Sequence, residues 1–288
     1  MKDLATITDT RLPHETDTVF LMDGGVETTL IFLDGIDLPY FASFPLLETG
    51  EGREALGRYF RGYLDIARKH GVGFVLETPT WRASPDWGAL LGYDGAALDR
   101  VNRNAVAFLR DLANKPEYED VPVVLSGCIG PRGDGYAVGT EMTVEEARAY
   151  HGSQVAALAG AGVRIVTALT MTYPQEAAGI VLAAQDAGIP AVVSFTVETD
   201  GQLPNGQALG EAIRFVDRET SGAPAYYMVN CAHPEHFDHV LEGDADWIER
   251  IRGVRANASR MSHAELDEAE ELDAGNPVEL GGQYADLR

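Results

Sequence analysis

The chain has 288 residues, room for one large α/β barrel or two ordinary domains. Its 45% hydrophobic and 23% charged residues are globular usage, which excludes disorder, collagen and coiled coil as the main state. Lys and Arg number 22 against 45 Asp and Glu, a formal charge of −23 that repels phosphate backbones and anionic lipid, so nucleic-acid and membrane-surface partners are excluded.

Short apolar runs rich in β-branched or aromatic residues alternate with longer amphipathic stretches. Residues 18–22 (TVFLM) read as a first strand running into Asp23-Gly24-Gly25. Helical spacing over 52–69 stops at Gly71. A second strand, 73–76 (GFVL), leads into Glu77-Thr78-Pro79-Thr80, and 96–113 is again helical. The third, 121–125 (VPVVL), leads into Ser126-Gly127-Cys128. Thr143 with Glu146 has the spacing of a capping box, which opens a helix to about residue 161. The fourth strand, 163–169 (VRIVTAL), leads into Thr170, and the helix 174–187 ends at Gly188. Strands at 191–195 (AVVSF) and 225–229 (AYYMV) lead into Thr196 and into Asn230-Cys231. A helix is expected over 235–252, then a seventh strand, 253–256 (GVRA), leading into Asn257. The acidic run 265–273 reads as a solvated helix face. Asn276-Pro277, an N-cap followed by Pro at the first helical position, starts a last helix to 287.

Strand and helix alternate without a linker, which predicts a parallel sheet and a TIM-type (β/α) barrel, one domain over 1–288. No G-x-G-x-x-G follows the first strand, and the cluster of Gly130, Gly133 and Gly135 follows the third with the wrong spacing, so it reads as a βα loop. The N-terminus lacks an apolar signal core, and no apolar run approaches the roughly 18–20 residues of a membrane span. A cytoplasmic protein with both cysteines, Cys128 and Cys231, reduced is the expectation.

Barrel chemistry sits at the C-terminal ends of strands. Those positions hold Asp23, Glu77, Cys128, Thr170, Thr196, Asn230, Cys231 and Asn257. Each is also a residue that βα junctions use as a cap or turn former. The lysines are Lys2, Lys69 and Lys115, none at a strand end, which excludes Schiff-base chemistry. Cys231 reads either as a small buried apolar residue or as a thiolate ligand or nucleophile. His233, His236 and His239 are read as surface residues of an acidic helix rather than a zinc cluster, and Cys128 as structural or loop-lining.

Together these motifs resemble the homocysteine S-methyltransferase family. Asp23-Gly24-Gly25-Val26-Glu27-Thr28 is similar to its opening D-G-x-x-x-T, and Glu77-Thr78-Pro79-Thr80-Trp81-Arg82-Ala83-Ser84 to its E-T-N-T-F-x-A-S, with Pro79 for Asn. Gly127-Cys128-Ile129-Gly130-Pro131 resembles its G-S-x-G-P, and Ser194-Phe195-Thr196 with Leu203 and Gly206 its S-F-x … L-x-x-G. Asn230-Cys231 matches its N-C, and Arg255-Ala256-Asn257-Ala258 resembles its P-N-A-G. The resemblance implies a (β/α)₈ barrel that uses Zn²⁺ to move a methyl group from a cationic donor, such as a sulfonium or betaine, to homocysteine, giving methionine. In that chemistry zinc binds the thiol and lowers its pKa. The resemblance makes Cys231 the first zinc ligand. It makes Asp23, Glu77 and Asn230 the catalytic candidates, and Gly24, Thr78, Thr170 and Asn257 the substrate-binding ones.

Two departures accompany it. Leu169-Thr170 stands where the family has E-T, whose glutamate holds the homocysteine amino group. No Cys follows Cys231, whereas the family's G-G-C-C supplies two further zinc thiolates. Gly281-Gly282-Gln283-Tyr284 aligns there only with Gln and Tyr replacing both cysteines, so 277–287 is read as the seventh helix. The expectation is therefore a chain truncated before strand eight, with open strand edges that favour a homo-oligomer and a weak hold on zinc. The alternatives are a zinc-free barrel transferase or lyase, and a non-catalytic small-molecule-binding homologue.

Overall fold

The computed structural model describes residues 10–287. Seven strands form one sheet in chain order: β1 Phe20–Leu21, β2 Gly73–Glu77, β3 Val123–Ile129, β4 Ile165–Met171, β5 Ala191–Phe195, β6 Tyr226–Asn230 and β7 Ile251–Arg255. Every neighbouring pair is parallel. Strand order without reversal is barrel topology; a doubly wound sheet would reverse at a switch point. Among the described residues β1 and β7 have no further strand beside them.

The crossovers carry α1 Val26–Phe32 and α2 Gly50–His70, α3 Pro85–Leu90 and α4 Gly95–Ala113, α5 Val144–Ala161, α6 Pro174–Asp186 and α7 Leu209–Thr220. Two more helices, α8 His263–Asp267 and α9 Pro277–Asp286, follow β7. Their ends obey local chemistry. Thr49 caps α2 by accepting the Gly52 N–H, and Gly71, at φ 64°, ends it in the left-handed region. Thr143 and Glu146 form the expected capping box on α5. Asn276 caps α9, accepting from Val278 and Glu279.

Alternation along the strands divides the interior in two. Val123, Leu125 and Ile129 of β3 face the helices and join the main core with Leu158 of α5 and Leu109 of α4. Val124 faces inward and clusters with Ile165, Val192, Tyr226 and Met228, and Leu12, ahead of β1, packs against this cluster. Towards the strand C-termini the inward residues become polar: Glu77, Ser126, Thr167, Ser194, Asn230 and Arg255. That polar layer is the floor of the barrel mouth.

The expected helix over 235–252 is absent. Pro234–His236, Asp238–Leu241 and Ile248–Arg250 are isolated 3₁₀ turns, separated by a break at Gly243 (φ 104°). Pro234, which offers no N–H, starts the first turn, and Gly243 with Asp244 and Asp246 adds weak helix formers. His233 and His236 are correspondingly not on an exposed helix; they are 2% and 9% exposed. β3 starts after Pro122 and runs to Ile129, so Cys128 lies in the strand and is buried. Of the acidic run 265–273 only 265–267, the end of α8, are helical. Among the described residues no helix is long and apolar enough to cross a membrane.

The α5–α6 contact is set by Gly179, where an added Cβ would lie 2.4 Å from the Ala147 Cβ and 2.6 Å from the Arg148 nitrogen. Alanine gains about 1 kcal/mol of helix propensity over glycine, but here it collides with backbone. Gly179→Ala is therefore expected to lose about 1–3 kcal/mol net, measured as a lower midpoint in urea.

Candidate active site at the barrel mouth

Asp23 follows β1, Glu77 ends β2 and Arg255 ends β7. The Arg255 guanidinium reaches across the mouth to both carboxylates, at 2.8 Å from Glu77 Oε2 and 3.0 Å from Asp23 Oδ2. It also donates to the Gly24 carbonyl. Tyr59 donates to Asp23 Oδ2 at 2.8 Å, and Ser126 donates to Glu77 Oε1 at 3.3 Å. Ser126 and Thr167 share a hydroxyl bond of 2.8 Å beneath them. Asp23 and Glu77 are only 4% and 3% exposed. Burial pushes both carboxyls above their usual range, with Arg255 pulling the other way. Glu27, bonded by Ser43 at 2.6 Å, is raised by burial too. For Arg255 burial is the largest effect and lowers its pKa, but the two carboxylates outweigh it and hold the guanidinium charged. Asp23 Oδ1 is buried and has no hydrogen-bond partner.

Across the mouth, Asn230 ends β6 with both ends of its amide used. Its Oδ1 accepts from the Thr170 N–H at 3.0 Å and from the Ser194 hydroxyl at 2.6 Å. Its Nδ2 donates to Thr170 Oγ1 at 2.8 Å and to Cys231 Sγ at 3.1 Å. Thr170 and Cys231 both adopt left-handed backbone, at φ 64° and 54°, an uncommon state for side chains with a Cβ and a rare one for a β-branched residue. The Asn230 amide and the irregular register of β4 against β5 between Ala168 and Met171 hold Thr170 there. Cys231 donates its backbone N–H to the Arg255 carbonyl at 3.1 Å, which couples the sulfur to the carboxylate side.

Two residues not singled out in the sequence complete this half. Tyr136, on the loop after β3, brings its hydroxyl within electrostatic reach of the Cys231 sulfur and of Asn257. Charge on that sulfur, ahead of burial, pushes the hydroxyl well above its usual range. Its ring stacks on His263 with centroids 4.0 Å apart. The other expected residues are placed as follows. Gly24 supplies the carbonyl that Arg255 uses. Thr78 is buried, accepts the Cys128 N–H at 3.0 Å and shares a 2.6 Å bond with Thr80, so it ties β2 to β3. Asn257 lies past β7 and donates its backbone N–H to the Ala232 carbonyl at 2.9 Å. Thr196 meets His263 at 3.2 Å. Cys128 is buried, which, with the charge on Glu77, pushes its thiol well up. Leu169 is buried, and its carbonyl accepts from the Trp81 indole at 3.3 Å.

Among the described residues no group of three His, Cys, Asp or Glu side chains could hold a metal ion. The groups around Cys231 Sγ are the Asn230 amide N–H and the Thr170 hydroxyl, neither of which replaces a thiolate ligand. His233 Nδ1 accepts from the Glu235 N–H and His236 Nε2 bonds the Arg260 carbonyl. The three-thiolate zinc site implied by the resemblance is thus not built from these residues, and one thiolate is what they supply.

A parallel barrel with a thiol and carboxylates gathered at the C-terminal strand ends defines a class of small-molecule barrel enzymes. Within that class the family is shown by sequence: the model for homocysteine S-methyltransferase matches residues 20–278, and the chain belongs to this family. The fold is similar to that of the homocysteine methyltransferase MmuM from Escherichia coli. With its oxidized form the TM-score is 0.66 at 19% identity, covering 88% of this chain and 96% of that one. With its metallated form the TM-score is 0.63 at 19% identity, covering 88% and 95%. No curated protein matches the sequence.

Removing one partner of a buried ion pair strands the other. Arg255→Met is expected to lose about 3–5 kcal/mol in urea unfolding at neutral pH, and adding Asp23→Asn with Glu77→Gln to recover most of it. The folded carboxyls titrate above the ordinary 3.8 of Asp23 and 4.5 of Glu77. Their contribution to stability is therefore full below those values and falls as pH rises through the folded ones. The Arg255→Met deficit should accordingly shrink at about pH 5 relative to about pH 8.

Proposed function

We propose that this chain is an S-methyltransferase that moves a methyl group from a cationic donor to a small-molecule thiol, with homocysteine as acceptor and methionine as product. The reading is supported by family membership and by one observation above all. Asp23 presents a buried carboxylate oxygen without a partner at the same strand ends as the Asn230–Cys231 pair.

The chemistry asks for this pairing. The thiol sulfur attacks the methyl carbon in line; the S–CH₃ bond forms as the bond from that carbon to the donor breaks. The donor leaves with its positive charge removed, and the thiol proton passes to solvent. A carboxylate that attracts the cationic donor therefore holds it more tightly than the neutral product. In this proposal Asp23 Oδ1 faces the cationic end of donor or acceptor, and Glu77 and Arg255 keep Asp23 oriented. Asn230 Nδ2 stabilises negative charge on the Cys231 sulfur at the mouth. Thr170, Gly24, Thr78 and Asn257 shape the walls.

Family membership and the metallated relative suggest a metal cofactor. The described donor set offers one thiolate, so no step is assigned to zinc. That same observation favours a second reading, a zinc-free barrel transferase or lyase or a binding protein without catalysis. Elemental analysis of the purified chain tests that donor set: one thiolate predicts zinc well below one per chain, and stoichiometric zinc would contradict it.

The direct test incubates the chain with homocysteine and, in turn, a sulfonium and a betaine donor, and measures methionine by mass spectrometry. Product above the uncatalysed rate is expected from one donor, with Cys231→Ser lowering kcat/KM by about a hundredfold or more. A Cys231→Ser variant as active as the parent would remove the sulfur from the mechanism.

A further inference from the structure

We propose that Tyr136 is a positioning residue that gates the Cys231 sulfur, closing over it from the loop between β3 and α5. The inference rests on Cys231 lying at the working site, and not on methyl transfer itself.

Four observations converge. The Tyr136 ring lies nearly parallel to His263, 11° between planes and 4.0 Å between centroids. His263 is a fixed platform: it is 5% exposed, its Nδ1 meets Glu198 Oε1 at 3.0 Å, and its Nε2 meets the Cys231 carbonyl at 2.9 Å and Thr196 Oγ1 at 3.2 Å. The next residue back, Gly135, is seated on the site wall, where an added Cβ would lie 3.1 Å from Trp81 and 3.4 Å from Thr170. Thr170 Oγ1 is itself 4.0 Å from the sulfur. Finally, Cys231 is the group whose charge acts most on the Tyr136 hydroxyl.

The loop is built to move this side chain without unfolding. Its near anchor is the Arg82 guanidinium, which donates to the Gly133 carbonyl at 2.7 Å from between Trp81 and Trp87. Asp134 then accepts the Tyr136 and Ala137 N–H groups at 2.8 and 3.0 Å, forming a local turn. Beyond it Gly139 has nothing near its Cβ position. Opening needs the ring stack to break, while the turn and its anchor persist. A thiol or a cationic methyl group that approaches Sγ from this side must displace Tyr136.

The test is the rate at which iodoacetamide alkylates Cys231 in the full folded chain, with peptide mass spectrometry separating it from Cys128. Tyr136→Ala should raise that rate by about tenfold or more, and Tyr136→Phe, which keeps the ring on His263, should stay within about threefold of the parent. An alanine variant within threefold of the parent, or a phenylalanine variant as fast as alanine, overturns the gate. The parent chain gives a second measurement that needs no variant: native Cys231 should react about a hundredfold more slowly than the same residue in urea-unfolded chain. A native rate within threefold of the unfolded one overturns the proposal even if Tyr136→Ala does not fold. Alkylation requires no donor, so a chain that transfers no methyl group still tests the gate.

Discussion

Arg255 carries a positive charge from the end of β7 into the barrel mouth, where carboxylates from the ends of β1 and β2 hold it. The contact spans the interval in which no strand lies among the described residues, so a side chain connects what ladder bonds connect elsewhere in the sheet. Burying three charges is costly, and the arrangement offsets that cost only while all three are present. It also has a chemical consequence. With Oδ2 of Asp23 taken by Arg255 and Tyr59, the other oxygen is left as an acceptor without a donor. A buried acceptor of that kind favours a ligand that brings its own positive charge or N–H.

Asn230 does for the sulfur what Arg255 does for the carboxylates. Its amide makes all four of the hydrogen bonds its two ends allow. Two of them fasten Thr170, and one reaches the adjacent Sγ. The strain of two facing left-handed residues is offset by this saturated amide, in keeping with strained backbone collecting where chemistry occurs. The two halves of the mouth are joined through the backbone, because the Cys231 N–H is bonded to the carbonyl of Arg255 itself. A change at either anchor is therefore felt at the other.

Strands were the legible part of the fold. Each is a short β-branched or aromatic run, and burial on both faces makes such runs continuous, as parallel sheets require. Edges were less legible: β3 extends to Ile129 because Ser126 and Cys128 point into a polar barrel interior and look like loop residues in sequence. The stretch 235–252 has helical composition, but Pro234 and Gly243 partition it, and α7 was hidden behind the turn-rich segment that follows Thr196. At the site, Asp23, Glu77, Asn230 and Cys231 announce themselves by following apolar runs. Arg255 does not, since its partner Glu77 lies 178 positions away. Tyr136 and His263 sit in a glycine-rich loop and at the start of a short acidic helix, where nothing local signals that they meet.

The claim that joins these observations is that the free oxygen of Asp23 is the receptor for a cationic ligand, held in place by Arg255. Calorimetric titration of sulfonium and betaine methyl donors into the chain and into Asp23→Asn tests it without requiring turnover. The account predicts saturable binding of one donor to the parent and an affinity lower by about tenfold or more, roughly 1.4 kcal/mol, in the variant. Equal affinity in the two proteins, or no donor binding to the parent, would contradict it.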